Sequence, residues 1–187
     1  MKSIAVYCGS SLGAHDIYKE QAILLGKFFA KNKIRLIYGG ACVGVMGTIA
    51  DAVLEEGGDV IGVIPTFLEQ REIAHTSLSE LIRVETMHER KAKMMALADG
   101  FIALPGGPGT LEEFFEVFTW NQIGLLQKPC GVLNINGYYN KLIELFDHMM
   151  NEKFLQERSH HVFYVDEHYE TLLSKMQSFV PPSIKTY

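Results

Sequence analysis

Phe101-Ile102-Ala103-Leu104-Pro105-Gly106-Gly107-Pro108-Gly109-Thr110-Leu111-Glu112-Glu113 is the stretch that decides how this chain is read. Its first four residues are continuously apolar rather than alternating, as in a strand whose two faces are both covered by helices. A glycine-bearing turn follows, and then a segment with helical spacing. Working outward, the same strand-turn-helix rhythm recurs along the chain. Strands are expected at 3–8, 34–38, 59–64, 100–104, 130–135 and 162–165, and helices at 16–31, 46–57, 87–98, 110–125, 138–152 and 168–179. Gly57-Gly58 and Pro181-Pro182 supply stop signals. The pattern predicts one α/β domain spanning 1–187, built on a doubly wound parallel sheet. Residues 65–86 contain the least regular stretch, Pro65 to Glu72, and are expected to form a long loop over the carboxyl edge of the sheet; Ser183 to Tyr187 are expected to fray.

Composition narrows the function classes. The chain is 48% hydrophobic and 21% charged, without an apolar run of the roughly 18 residues that a membrane span needs. Met1 leads directly into Lys2-Ser3-Ile4-Ala5-Val6-Tyr7, a strand rather than a signal peptide, so a cytoplasmic location is expected. Seventeen basic against 22 acidic residues give a formal charge of −5, with no dense basic run to track a nucleic-acid polymer. Cys8, Cys42 and Cys130 form no CxxC pair, so they read as buried reduced thiols. His88, His160 and His161 lack metal-site spacing, and no metal is expected.

Three expected strands end in glycine-bearing turns, at Cys8-Gly9-Ser10-Ser11, Tyr38-Gly39-Gly40-Ala41 and Leu104 to Thr110, and in an open parallel sheet these turns share one edge. At the third, glycines allow close backbone approach and the next helix presents unpaired N–H groups and its positive dipole end, so a phosphate fits. A plainer reading of the same letters is a tight connection with Thr110 as N-cap and Glu113 as its capping-box partner. A P-loop would need Gly-Lys-Ser/Thr where this loop continues Gly109-Thr110-Leu111, and a dinucleotide site would need G-x-G-x-x-G after the first strand, where Gly9 is followed by Ser10-Ser11-Leu12. In Met87-His88-Glu89-Arg90-Lys91-Ala92-Lys93, adjacent cations early in a helix lean over the same edge, or belong to a solvated face on which Glu89 pairs with Lys93.

Pro105 to Glu113 resembles the PGGxGTxxE signature of the LOG phosphoribohydrolases. Met87-His88-Glu89-Arg90-Lys91, Cys8-Gly9-Ser10-Ser11, Tyr38-Gly39-Gly40 leading through Gly44 and Gly47, Thr119-Trp120-Asn121-Gln122, and Lys128-Pro129 through Tyr139 are similar to that family as well. The resemblance implies a Rossmann-like fold, a homodimer, and release of the base from cytokinin riboside 5′-monophosphates or AMP. The family has often carried a lysine decarboxylase label, which would require a Schiff-base lysine for pyridoxal phosphate; nothing in the sequence marks one, and no cofactor is expected.

On this reading the 5′-phosphate sits at Gly106, Gly107, Pro108, Gly109 and Thr110, with Leu111 and Glu112 following, and the ribose lies beside Glu113 and Arg90. The resemblance adds Glu72, Lys91 and Thr119 to the substrate lining. Positive charge develops at C1′ as the N-glycosidic bond breaks, so a fixed carboxylate lowers that barrier, and Glu113 is the candidate, as stabiliser or general base. Arg90 is expected to hold the substrate or balance charge on the departing base; Glu113→Ala and Arg90→Ala should each greatly reduce base release and leave the fold intact. The alternatives are a non-catalytic nucleotide-binding module on the same scaffold and an enzyme for another phosphorylated metabolite. The helix carrying Leu111, Phe114, Phe115, Val117, Phe118, Trp120 and Ile123 is apolar around too much of its circumference for a one-sided surface helix, which fits a buried subunit interface or a central helix fully covered by its own domain.

Overall fold

The computed structural model describes residues 1–69, 73–155 and 163–181. Among the described residues seven strands form one parallel sheet: β1 (Ser3–Tyr7), β2 (Arg35–Tyr38), β3 (Val60–Pro65), β4 (Glu80–Val84), β5 (Gly100–Ala103), β6 (Cys130–Leu133) and β7 (Tyr164–Asp166), in the spatial order β4-β3-β2-β1-β5-β6-β7. Among the described residues five α-helices lie between strands, α1 (Asp16–Lys31), α2 (Gly44–Glu55), α3 (Met87–Leu97), α4 (Pro108–Gln122) and α5 (Asn140–Asn151), and α6 (Tyr169–Gln177) follows β7. This is the Rossmann-like doubly wound architecture expected from the alternation of strand and helix patterns.

Each strand divides its side chains between two layers, because successive Cβ atoms point to opposite faces. Ile4 and Val6 of β1, with Ile102 of β5, enter a core closed by Leu25 and Phe29 of α1, Ile49 and Val53 of α2, and Leu172 and Met176 of α6. Ala5 and Tyr7, with Phe101 and Ala103, face a second core closed by Met94 of α3, Phe114 and Phe118 of α4, and Phe146 of α5. Double coverage is why these strands carry no alternation.

The chain winds outward from β1 to β4, then crosses back to lay β5 on the other side of β1. The winding therefore reverses between β1 and β5, and a crevice opens there at the carboxyl ends of the strands, where ligands bind in folds of this kind. Gly9 N–H donates to Pro105 O at 3.2 Å and fastens the two glycine-bearing turns together.

Two expectations need correction in this region. The expected loop of 65–86 contains β4, which pairs with β3 from Ile61–Glu80 to Pro65–Val84. It is an edge strand, so Glu80 and Arg83 sit exposed on it and interrupt the apolar run that marks the central strands. The expected helix of 138–152 starts instead at Asn140, after a 3₁₀ turn over Ile135–Gly137 in which Asn136 and Gly137 have φ of 53° and 66°. The first residue of the strand expected at 162–165, the fraying tail 183–187, and His160 and His161 lie outside the described residues.

Candidate active site

α4 begins where the phosphate loop ends, but its cap is not the one the T-x-x-E spacing suggests. Gly107 is the N-cap and Pro108 occupies the first turn, a position that suits proline because no backbone donor is needed there. Thr110 is buried, and its N–H donates to Gly107 O at 3.1 Å. Its hydroxyl packs against Gly106 so closely that a Cβ on Gly106 would collide with it and approach Gly9 N to 2.8 Å. A Cβ on Gly107 or on Gly109 would meet nothing within 4 Å. One glycine is thus a packing requirement, and the next two leave open space before the N-terminal end of α4. A capped start of that kind is found on α3 instead: the N-cap Thr86 accepts from Glu89 N–H at 3.1 Å, and the Glu89 carboxylate accepts from the N–H of Glu85, the residue before the cap, at 2.9 Å.

That open space is a cavity of about 250 Å³ lined by Cys8, Gly9 and Ser10 from the turn after β1, Met46 of α2, Met87 and Arg90 of α3, and Gly107, Pro108, Gly109, Thr110, Glu112 and Glu113. Arg90 is only 4% exposed. Its Nε donates to Val63 O at 3.1 Å and its Nη2 to Gly39 O at 2.8 Å, which fixes the guanidinium plane against the ends of β2 and β3. A Cβ on Gly39 would collide with Nη2, so the glycine after β2 serves as the slot for this arginine. The Cys8 thiol is pushed up by burial and then by Glu113, while Arg90 pulls it down, so both charges act on the end of β1. The Tyr7 phenol is likewise raised, by burial first and then by Glu113, Glu116 and Glu112.

Lys91 points elsewhere. Its ammonium pairs with Glu112 and, at 3.2 Å, with Glu116, and the side chain is 6% exposed. Burial works against the charged form, but the two carboxylates outweigh it and raise the pKa above lysine's ordinary value. Lys128 is also committed, donating to Met95 O at 2.8 Å and Ala98 O at 2.7 Å. A Schiff-base lysine must readily shed its proton, which the two carboxylates around Lys91 oppose.

The residues expected at the site thus divide. Arg90, Gly107 to Thr110, Glu112 and Glu113 share one cavity, and Gly106 borders the space next to it. Leu111 packs on the core cluster of α3 to α5, and Lys91 braces α3 to α4. Thr119 is exposed on α4, about 15 Å of helix rise beyond Gly109. Glu72 lies outside the described residues. His88 is exposed, and among the described residues no group of three His, Cys, Asp or Glu is placed to hold a metal. Cys8 and Cys130 are buried free thiols, but Cys42 is exposed, contrary to the expectation for all three. Sequence reasoning missed Met46, Met87 and Cys8 as lining. It also missed a second chamber of about 180 Å³ that shares Gly107 with the first and is bounded by Tyr18 and Tyr138. The available signal was the aromatic pair Tyr138-Tyr139 after an Asn-Gly turn: Tyr138 donates to Gly106 O and Tyr139 to Leu104 O, both at 2.6 Å, bracing the loop from the side of β6.

Comparison with known proteins identifies the family. A family model described as possible lysine decarboxylase matches residues 46–176. A cytokinin riboside 5′-monophosphate phosphoribohydrolase of Arabidopsis thaliana is 45% identical over 180 residues, covering 96% of this chain and 84% of the relative. One of Rhodococcoides fascians is 51% identical over 155 residues, covering 82% and 78%. Among solved structures, the molybdenum cofactor binding protein from Rippkaea orientalis superposes with a TM-score of 0.70 at 22% identity, over 94% of this chain and 95% of that one, a likeness of fold alone. The chain belongs to the family of the cytokinin riboside 5′-monophosphate phosphoribohydrolases, the one covered by the possible-lysine-decarboxylase model.

Proposed function

We propose that this protein hydrolyses the N-glycosidic bond of adenine-type nucleoside 5′-monophosphates, either AMP or cytokinin riboside 5′-monophosphate, to give the free base and ribose 5-phosphate. The reading rests on one observation: the N-terminal end of α4, the Arg90 guanidinium and the Glu113 carboxylate converge on a single cavity at the sheet's switch point. The 5′-phosphate docks on the Gly107–Gly109 turn, at the N-terminal end of α4, where the helix dipole favours an anion. The ribose then lies toward the second turn of α4, which carries Glu113.

As C1′–N lengthens, its electron pair leaves with the base and positive charge grows on the ribose. A carboxylate held beside C1′ stabilises that charge without reorganising at the moment of reaction. Water supplies the oxygen bonded to C1′ and gives up a proton, and the base takes one up as it departs. Arg90, held in place by two carbonyls, positions the substrate; the very high pKa of a guanidinium makes it a poor proton donor.

The same reading places the enzyme in the cytoplasm as a homodimer that covers the outer face of α4. Phe114, Val117 and Phe118 are buried in the protomer's own core, while Ile123 and, just beyond the helix, Leu125 are 43% and 68% exposed. Incubation with AMP and with N6-isopentenyl-AMP, followed by chromatography, should yield free base and ribose 5-phosphate in equal amounts. Tight binding without products would point to a nucleotide-binding module instead.

A further inference from the structure

The charges around the cavity before α4 do not by themselves suit an anion. Among the described residues it is lined by two carboxylates, Glu112 and Glu113, and by one guanidinium, Arg90. Glu112 comes four positions after Pro108, about 6 Å of helix rise from the end that is to receive the phosphate. That separation lies within the roughly 8–10 Å over which charges remain coupled in salt. The proposed reaction gives Glu113 a task at the ribose and gives Glu112 none. The Glu112 carboxylate is an anion near the same positive helix end, where it competes with the phosphate.

Lys91 meets this charge from outside the cavity, since it is not among the lining residues. Its ammonium pairs with Glu112 and, at 3.2 Å, with Glu116. The Lys91 side chain is 6% exposed and held in place, whereas that of Glu112 is 56% exposed and, without its partner, has room to turn over the cavity it lines.

We propose that Lys91 is a charge mask: by holding Glu112 it keeps the acidic flank of α4 from repelling the phosphate of a bound nucleotide. The inference rests on the nucleotide reading above and adds a residue that sets affinity without touching the ligand. A mask differs from a brace between α3 and α4. The brace acts through the position of α4, the mask through the charge of Glu112. Lys91→Met removes both and leaves one carboxylate uncompensated. Lys91→Met with Glu112→Gln leaves the brace broken but cancels that charge, so recovery of binding reports the mask alone.

The test is the affinity of the full chain for AMP, by calorimetry, in the wild type, Lys91→Met, Lys91→Met/Glu112→Gln and Glu112→Gln, with melting curves to confirm folding. Lys91→Met should bind AMP about fivefold or more weakly than the wild type. The double variant should return to within about twofold of the wild type. Glu112→Gln alone keeps Lys91 in place and should bind AMP about twofold or more tightly, because the ammonium then acts on the phosphate unopposed by Glu112. This variant carries the test should Lys91→Met fail to fold. A smaller loss in folded Lys91→Met, a folded double variant that stays weaker, or a Glu112→Gln that gains nothing overturns the mask and spares the nucleotide reading. A wild type without affinity for AMP overturns both.

Discussion

Gly106 and Gly107 are adjacent, yet their surroundings are opposite, and that difference separates folding from ligand binding. A side chain at 106 has no space beside Thr110 and Gly9, whereas one at 107 meets nothing and the backbone there has an ordinary φ of −87°. Gly106→Val should therefore lower stability by about 1–3 kcal/mol through overpacking. Gly107→Val should melt close to the wild type and bind AMP about tenfold or more weakly, because its side chain projects into the cavity. Calorimetry and thermal melting read the two effects independently; unchanged AMP affinity in Gly107→Val would show the loop to be only a turn. Glu113 and Arg90 also separate. Glu113→Gln preserves shape and should melt like the wild type while turnover falls about 100-fold or more. Arg90→Ala should lose turnover and also stability, about 1–3 kcal/mol, since Val63 O and Gly39 O are left without their donor. The sequence suggested that both substitutions spare the fold; the 4% exposure of Arg90 changes that expectation for one of them.

At the scale of elements, α3 and α4 are tied together by the Lys91 pairs with Glu112 and Glu116. Because the folded-state pKa of Lys91 is raised, the brace is fully present below lysine's ordinary 10.5 and is lost as pH rises through the higher folded value. Lys91→Met should destabilise the protein by about 2 kcal/mol near neutral pH. Melting temperatures taken across alkaline pH should show wild type and variant converging only above 10.5. A gap that already closes between neutral pH and that point would remove the brace from the account. Charged residues were legible here only in part. The adjacent cations of Arg90-Lys91 were visible in the sequence, but successive helical positions diverge by about 100° around the axis, so their partners differ. β4 went unread for a related reason: an edge strand shows water the charges that a buried strand excludes.

For the molecule as a whole, the exposed apolar residues at and beyond the end of α4 bear on assembly. Light scattering of the purified protein should give twice the mass of the 21.0 kDa chain, and Leu125→Asp should shift the population toward monomer. A monomeric wild type would overturn the homodimer. Among the described residues no helix is long and apolar enough to cross a membrane.

The sequence by itself determined the alternation of apolar strand and amphipathic helix, and hence the parallel sheet with its glycine turns gathered on one edge. These follow from local periodicity and from backbone geometry that only glycine and proline supply. Which side chains meet across those turns was decided by tertiary structure alone. That Arg90 reaches the slot at Gly39, that Lys91 turns to α4, and that Tyr138 closes a chamber behind Gly106 are consequences of the spatial order of the strands, with β5 laid beside β1 and β6 beside β5. That order brings residues 21 to 51 positions apart within bonding distance, and no local pattern encodes the result.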